Sequence, residues 1–325
     1  MQSFNPANAP VQPIASITPF LGGKHWIKAR VTDKGDIRCE YVVNAAGYYA
    51  QRVAEWFKPY GGRTLPMTVM SHQYLLTEEV PEIEAWSKEN GGAKLPLLRD
   101  VDVSYYLRQE KHGFNLGPYE PNCRAHWDTS DDPMPEDFSF QLWSDDIDRI
   151  EDIVTDAMER VPLMATTGIS RVINGPIPYA PDGLPLIGPM PGVKNAFEAC
   201  VFTFGIAQGG GAGKVLAEWI VDGRTEWDMW ATDPRRFTDF TDQDYCVKKG
   251  MEVYGNEYAM HSPQHEWPAA RNKKLSPVHD RVVASGGVMG AYNGWERANW
   301  YAKDGDDTSE STTHTWGRSG PWEKR

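Results

Sequence analysis

The segment from Asn174 to Lys214 is the feature that most limits what this chain can fold into. It reads NGPIPYAPDGLPLIGP, then the short apolar run ACVFTF after a connecting stretch, then GIAQGGGAGK just ahead of LAEWI. The prolines predict a turn, and the apolar run predicts a buried strand. The glycine cluster predicts a loop whose backbone can approach a bound group closely, because no Cβ atoms intervene. Its members are Gly205, Gly209, Gly210, Gly211 and Gly213.

Apolar residues at helical spacing follow this glycine loop, namely Leu216, Trp219 and Ile220. The loop would therefore present free N–H groups and the positive end of a helix dipole at one point, which suits an anion or an electron-rich carbonyl. A tight turn that only packs is the alternative. The glycines do not follow the G-x-G-x-x-G spacing of a dinucleotide-binding loop.

A second segment, VVNAAG at residues 42–47, ends in small residues ahead of a helix predicted over about 48–57. It ends the second strand, DIRCEYVVN, of a hairpin predicted around the turn Asp33-Lys34-Gly35. A strand that ends in this way before a helix is the place where α/β sheets bind ligands. The alternative is a strand–helix joint in which small residues serve packing.

The third and fourth segments are predicted strands. In MTVMSHQYLLT, residues 67–77, His72 shares a face with Met70, Tyr74 and Leu76, so a core histidine without a chemical role is the alternative. Residues 100–108 alternate in polarity, and LLRD…SYYLRQE surrounds a tyrosine pair. Period-two alternation by itself indicates only a half-exposed strand.

Taken together, these four segments resemble the glycine oxidase and D-amino-acid oxidase superfamily of FAD-dependent enzymes, and within it the dimethylglycine and sarcosine dehydrogenases. The likeness runs with interruptions from about Trp26 to Tyr301. It implies an α/β (α+β) fold: a partial FAD-binding domain with an antiparallel-sheet substrate domain and an irregular C-terminal linker region. We expect the boundaries 1–64 and 166–224 for the FAD-binding parts, 65–165 for the substrate domain and 225–325 for the linker.

The resemblance also implies the site residues. The histidine of HQY faces the substrate in such enzymes, which selects His72, and alignment on Arg108 carries the active-site tyrosine onto Tyr106, or onto Tyr105 after a one-residue slip. Arg108 is a candidate partner for a substrate carboxylate because a guanidinium binds one bidentately. The expected cofactor-binding residues are Ala45, Ala46, Gly47, Gly175, Pro176, Gly205, Ile206, Gln208, Gly210, Gly211, Gly213 and Lys214.

The reaction that the resemblance implies is oxidative N-demethylation of dimethylglycine or sarcosine. Hydride passes from the N-methyl carbon to FAD and leaves an iminium, which water converts to formaldehyde. Oxygen or an electron-transfer flavoprotein would reoxidise the flavin, and tetrahydrofolate would enter only with a C-terminal aminomethyltransferase domain that this sequence lacks. Another amine or amino-acid oxidase of the same superfamily is the alternative.

A further alternative is an inactive fragment. Family members begin with a strand, a G-x-G-x-x-G turn and a helix that hold the ADP half of FAD, and no such motif occurs in this sequence. We therefore expect a fragment, or one subunit of a split enzyme, that retains FAD weakly because binding must offset several kcal/mol of lost freedom.

The composition limits the classes of partner and the compartments that fit this protein. The net charge of -12 disfavours nucleic acid and anionic membranes, and no apolar run is long enough to span a bilayer. Four cysteines without C-x-x-C spacing fit a reducing compartment, and we expect the cytoplasm. The resemblance implies the mitochondrial matrix as the alternative. His261 and His265 flank Pro263 and have no evident third ligand, so we expect no metal site.

Two further helices are predicted. An apolar stripe after the proposed N-cap Ser144 predicts a packing helix. Its members are Ile147, Ile150, Ile153, Val154, Ala157 and Val161. A second helix is predicted from about Phe240 to Tyr254.

Overall fold

The computed structural model describes residues 17–19, 27–32, 35–127, 132–261 and 265–308. Within these ranges the chain forms six α-helices and fourteen strands, which belong to four sheets. The end of the expected linker, beyond residue 308, lies outside the described residues. In the described part, no helix is both long and apolar enough to cross a bilayer.

The first sheet confirms the predicted hairpin, but its second strand ends at Arg38, and Val42–Asn44 belongs to another sheet. Its antiparallel strands are β1 (Ile17–Pro19), β2 (Ile27–Thr32) and β3 (Gly35–Arg38). Thr32 pairs with Gly35, so residues 33 and 34, which are not described, make the connection.

The second sheet combines strands from distant parts of the chain. Its three strands are β4 (Val42–Asn44), β11 (Leu186–Pro189) and β12 (Ala196–Cys200). They have the order β11-β12-β4, in which β12 runs parallel to β4 and antiparallel to β11. A 3-10 turn at Gly47–Tyr49 and helix α1 (Ala50–Glu55) follow β4, while helix α4 (Gly205–Val221) follows β12.

The third sheet is antiparallel, as the sequence predicts for the substrate domain. Its strands are β5 (Thr68–Thr77), β6 (Leu98–Asp100), β7 (Tyr105–Glu110), β8 (Gly113–Pro118), β9 (Ala125–His126) and β10 (Ile169–Tyr179). Their order is β10-β5-β8-β7-β6, and the short β9 also pairs with β5.

One face of this third sheet packs against helices α2 (Pro81–Glu89) and α3 (Glu151–Arg160). The predicted apolar stripe lies in this core, although residues 147–150 form a 3-10 turn before α3 begins. Ser144 does not cap the helix. Instead its carbonyl oxygen accepts a hydrogen bond from Asn174 Nδ2 at 2.7 Å.

Helix α5 (Gln243–Gly255) covers part of the opposite face, and it confirms the helix predicted before Tyr254. Its N-terminus is capped by Asp242, whose side chain accepts a hydrogen bond from the Tyr245 N–H at 2.8 Å. Beyond it lie helix α6 (His279–Ala284) and a hairpin of β13 (Gly287–Tyr292) and β14 (Trp295–Tyr301). The region expected to be an irregular linker is thus folded from α5 to β14.

Candidate active site

The parallel strands β4 and β12 end at the same edge of their sheet. Ala45, Ala46 and Gly47 leave β4 there, and the residues before Gly205 leave β12. Asn44 shapes the first connection, because its buried side chain donates to the Ala50 carbonyl oxygen at 2.9 Å. The following turn packs against β10, the strand that carries Gly175 and Pro176. The small residues of VVNAAG therefore leave the sheet at the edge where its parallel strands end, beside β10.

The predicted glycine loop is wrong, because its glycines lie inside α4. Gly205 is the first helical residue, and the first helical hydrogen bond runs from Gln208 N–H to the Phe204 carbonyl oxygen at 3.0 Å. Ala212 and Val215 anchor the helix against Ile187, and this packing overrides the low helix propensity of glycine. Gly210, Gly211 and Gly213 consequently lie one or more turns from the helix N-terminus.

Lys214 is also placed differently from the prediction. Its ammonium group lies 2.8 Å from Glu226 Oε2 and 3.2 Å from Glu218 Oε1, and it stacks over the ring of Trp227. Residue 214 is about two and a half turns from the start of α4. These ion pairs occupy Lys214 away from the helix N-terminus, so we do not assign it to the cofactor.

The start of α4 fits the ring side of the flavin that the resemblance implies. No side chain caps this helix in the described part of the chain, which leaves the N–H groups of its first turn as donors. Gln208 Oε1 is buried there without a hydrogen-bond partner among the described residues. Ile206 is fully exposed, and a Cβ atom at any of the four glycines from 209 to 213 would meet nothing within 4 Å. The N-terminus thus offers donors, an orphaned acceptor and open space.

The candidate substrate residues share one face of the third sheet. Tyr106 pairs with Gly117, and Arg108 pairs with Asn115, which in turn pairs with Leu76 of β5. Since residues that pair across strands point to the same side, His72 shares this face with Tyr106 and Arg108. His72 itself lies opposite Gly175 of β10, next to the cleft residues.

Tyr105 lies on the other face. It is fully buried in the core that packs against α2 and α3, so it cannot contact a ligand beside His72. The structure therefore selects Tyr106 between the two tyrosines. Burial raises the pKa of Tyr106 to about 12, with a smaller contribution from Tyr258, so its hydroxyl stays protonated at neutral pH.

Arg108 has a protein partner. Its guanidinium lies 2.6 Å from Glu110 Oε2, two residues along the same strand. Arg99, which the sequence analysis did not select, pairs with Tyr106 across β6 and β7, and its guanidinium lies 4.1 Å from the ring centre of Tyr258. Two arginines thus lie on the substrate face, and Arg108 already binds a carboxylate.

His72 is the first residue of a buried polar chain that the sequence analysis missed. Its Nδ1 lies 2.9 Å from the Tyr254 hydroxyl of α5, and that hydroxyl donates to Glu120 Oε2 at 3.1 Å. Glu120 Oε1 lies 2.9 Å from Nε of Arg149, whose Nη2 donates to Ser71 Oγ at 2.9 Å. The His72 ring also packs on Tyr119, with ring centres 4.7 Å apart.

This environment sets the charge of His72 and of Glu120. Burial, with the nearby Arg149 guanidinium, lowers the pKa of His72 from 6.5 to about 4, so the imidazole is neutral at physiological pH. Burial raises the pKa of Glu120 from 4.5 to about 7, against its own backbone hydrogen bond, Arg149 and Tyr254. Glu120 is therefore the stronger base of the two.

Comparison with known families identifies two matched segments. The family described as FAD dependent oxidoreductase matches residues 9–219, more than half of the chain. The family described as FAD dependent oxidoreductase central domain matches residues 222–276, which include α5.

Two curated relatives illustrate the likeness. Mitochondrial dimethylglycine dehydrogenase of Mus musculus is 36% identical over 301 residues, which cover 91% of this chain and 33% of the relative. Mitochondrial sarcosine dehydrogenase of Mus musculus is 34% identical over 282 residues, which cover 86% of this chain and 29% of the relative. The chain thus spans about a third of the length of the curated relatives it matches.

Among solved structures, L-proline dehydrogenase from P. horikoshii is similar in fold. The TM-score is 0.52 at 21% sequence identity, and the match covers 69% of this chain and 53% of that chain. This similarity supports the fold alone.

Proposed function

We propose that this chain, which belongs to the FAD-dependent oxidoreductase family, carries the flavin-ring and substrate side of an enzyme that demethylates an N-methyl amino acid. Its relatives named dimethylglycine dehydrogenase and sarcosine dehydrogenase support that substrate class. The observation that carries the proposal is the common sheet face of His72 and Tyr106, which meets the cleft residues at Gly175.

FAD, when bound, supplies the two-electron oxidant for the carbon–nitrogen bond of the substrate. The first-turn N–H groups of α4 and Gln208 would hold the polar edge of its ring, and Ala45 to Gly47 would line its cleft. Donors fixed at a helix N-terminus stabilise negative charge without reorganisation. Gly205 and Ile206 contribute backbone N–H groups to this set. Gly175 and Pro176 would contact the ring from β10.

His72 would bind the substrate amine. The amine must lose its ammonium proton before its lone pair can assist oxidation, and a neutral imidazole accepts a hydrogen bond from that proton. Tyr106, which stays protonated, would orient the substrate as a hydrogen-bond donor.

A substrate carboxylate would bind Arg99 in preference to Arg108. A carboxylate at Arg108 must compete with Glu110 at 2.6 Å. Arg99 lies beside Tyr106 over the Tyr258 ring, where its polar neighbours are the Tyr258 hydroxyl and, without a salt bridge, Glu257. A guanidinium binds a carboxylate with two parallel hydrogen bonds, so this contact would orient the methyl group for oxidation.

Oxygen or an electron-transfer flavoprotein would accept the electrons from the flavin. Tetrahydrofolate would take part only in a polypeptide that also contains an aminomethyltransferase domain. The names of the two relatives include a mitochondrial location, which supports the matrix over the cytoplasm. Subcellular fractionation with an antibody to this chain tests the location.

Flavin binding and turnover test the function. The purified protein is incubated with FAD, freed of excess cofactor and examined for a flavin band at about 450 nm. Reduction of the flavin is then followed with dimethylglycine, sarcosine, glycine and proline, and formaldehyde release is measured with the two N-methyl substrates. We expect release with an N-methyl substrate, and a loss of about a hundredfold in kcat/KM for His72→Gln.

His112→Gln is the matched control, because His112 lies in the turn between β7 and β8. It should retain turnover. Oxidation of glycine or proline alone would favour another amino-acid oxidase of the superfamily, and a protein that binds no flavin would contradict the proposal.

A further inference from the structure

A buried carboxylate is connected to His72 through one hydroxyl group. Tyr254 and Glu120 have 0% and 1% of their surface exposed, whereas the His72 ring is partly exposed. Within the described residues, Nδ1 is the only ring nitrogen of His72 with a hydrogen-bond partner. The hydrogen-bonded chain therefore begins at the partly exposed residue His72 and ends at a carboxylate that solvent does not reach.

The direction of the hydrogen bonds follows from the number of protons. A phenol has one proton to donate, and the Tyr254 hydroxyl donates it to Glu120 Oε2. An ionised carboxylate has none, so Glu120 beside Arg149 only accepts. The Tyr254 oxygen must then accept from Nδ1–H of His72, which fixes the neutral imidazole with a lone pair on Nε2.

We propose that His72, Tyr254 and Glu120 form a proton relay in which Glu120, and not His72, finally holds the proton that the amine substrate loses. The inference rests on the proposed function, because it assigns the destination of that proton. It adds Tyr254 and Glu120 as residues that act through His72.

The relay balances in three transfers. Nε2 takes the ammonium proton, Nδ1 passes its own proton to the Tyr254 oxygen, and the Tyr254 proton moves to Oε2 of Glu120. The amine becomes neutral and the carboxylate becomes a carboxylic acid, while His72 and Tyr254 remain uncharged. Burial, which disfavours a charged imidazole, does not oppose this path because no imidazolium forms.

The groups around the relay are known from the structure. Arg149 and Asp146 of the turn before α3 and Cys123 lie near Glu120, and Arg149 also acts on His72. Tyr119 packs against both His72 and Tyr254. Burial raises the pKa of Glu120 to about 7. Above this pH the ionised carboxylate can accept the proton, and below it the carboxyl group is already protonated and the relay is blocked.

The state of His72 tests the relay without any substrate. In ¹⁵N NMR spectra of the FAD-loaded protein labelled at histidine, His72 should show a protonated Nδ1 above about pH 7. Below it, protonated Glu120 donates to Tyr254 and reverses the chain, so Nε2 should carry the proton. Tyr254→Phe should abolish this change. A tautomer that is the same at every pH in the wild-type protein would overturn the inference.

Turnover supplies the second readout. The wild-type kcat/KM should rise through an apparent pKa of about 7, and Tyr254→Phe should lose this limb and about a hundredfold in rate. Glu120→Gln should lose the same limb where it folds. Tyr245→Phe, which removes a hydroxyl of the same helix outside the relay, should keep it.

The proton relay and the proposed function would be contradicted by different results. N-methyl turnover with a wild-type pH profile in Tyr254→Phe would overturn the relay and leave the proposed function standing. A pH-dependent His72 tautomer in a protein that oxidises no amine would contradict the proposed function, and with it the substrate end of the relay.

Discussion

The ring of Tyr106 lies directly over Gly117, its partner on β8. A side chain at residue 117 would overlap the ring and hydroxyl of Tyr106. We expect Gly117→Ala to turn the ring out of position, because the sheet backbone cannot yield, and to lower kcat/KM about tenfold. Steady-state kinetics with the FAD-loaded protein measures this effect.

The same variant should lower the free energy of unfolding by about 1–3 kcal/mol, as overpacking does elsewhere. In a Tyr106→Ala background the substitution should have little effect on stability in urea. An equal loss in both backgrounds would show that Gly117 is required for another reason.

The glycines of α4 predict opposite effects on stability and on flavin binding. Gly210 lies inside a helix with open space where its side chain would be. Gly210→Ala should stabilise the FAD-free protein by about 0.5–1 kcal/mol, because alanine is the better helix former. It should weaken FAD binding if the flavin approaches this backbone. Urea unfolding and FAD titration measure the two effects, and unchanged FAD affinity would remove Gly210 from the cofactor site.

Gly250 allows α5 to approach β5. A side chain at residue 250 would overlap Cγ2 of Thr68, and Tyr254 lies one turn further along the same helix. Gly250→Ala should therefore destabilise the protein by about 1–3 kcal/mol and lengthen the His72–Tyr254 contact. Thr68→Ser removes the obstructing methyl, so the double variant should regain part of the loss. A strictly additive double-mutant cycle would contradict this account.

The two arginines of the substrate face should differ in their kinetic effect. If Arg99 binds the carboxylate, Arg99→Met should raise KM about tenfold or more with a smaller change in kcat. Arg108→Met, a matched loss of charge on the same face, should have a smaller effect because Arg108 is paired with Glu110. The reverse order would restore the assignment of Arg108.

Glu198 predicts a pH dependence of stability. It is buried on β12, and burial raises its pKa from 4.5 to about 7 against opposing effects of Arg63 and Arg236. Between these values the folded protein holds a proton that the unfolded chain releases, so the free energy of unfolding falls as pH rises. The loss from this group is at most about 1.4 kcal/mol per pH unit.

Urea unfolding at pH 5 and at pH 7.5 measures this dependence. Glu198→Gln should flatten it, because an amide does not titrate. Asp233 adds a smaller upward effect on the pKa of Glu198, and some slope should remain in the variant because burial also raises the pKa of Glu120 to about 7. A variant with the full wild-type slope would assign the pH dependence to other groups.

Local patterns were sufficient for much of the fold. The alternation around His72 predicted β5, and the turn signal at residues 33–35 predicted the first hairpin. The ion pair of Arg108 was also within reach, since Glu110 lies two residues away and shares its face of the strand. The alternation of side chains, followed as far as residue 110, would have made Arg108 a weaker candidate for binding a substrate carboxylate.

Other features depend on contacts that no local pattern encodes. The start of α4 is set by packing of Ala212 and Val215 on Ile187, which outweighs the poor helix propensity of the glycines. Tyr254 and Glu120 are 134 residues apart in sequence, and neither belongs to a recognisable motif. Only the folded chain places them beside His72.

The contact between His72 and Tyr254 has a consequence for protein engineering. It joins a residue of the first family-matched segment, 9–219, to a residue of the second, 222–276. A chimera that exchanges either segment with that of a relative would inherit half of this hydrogen-bonded pair. The two segments are separate units of sequence classification, but they have to be transplanted together.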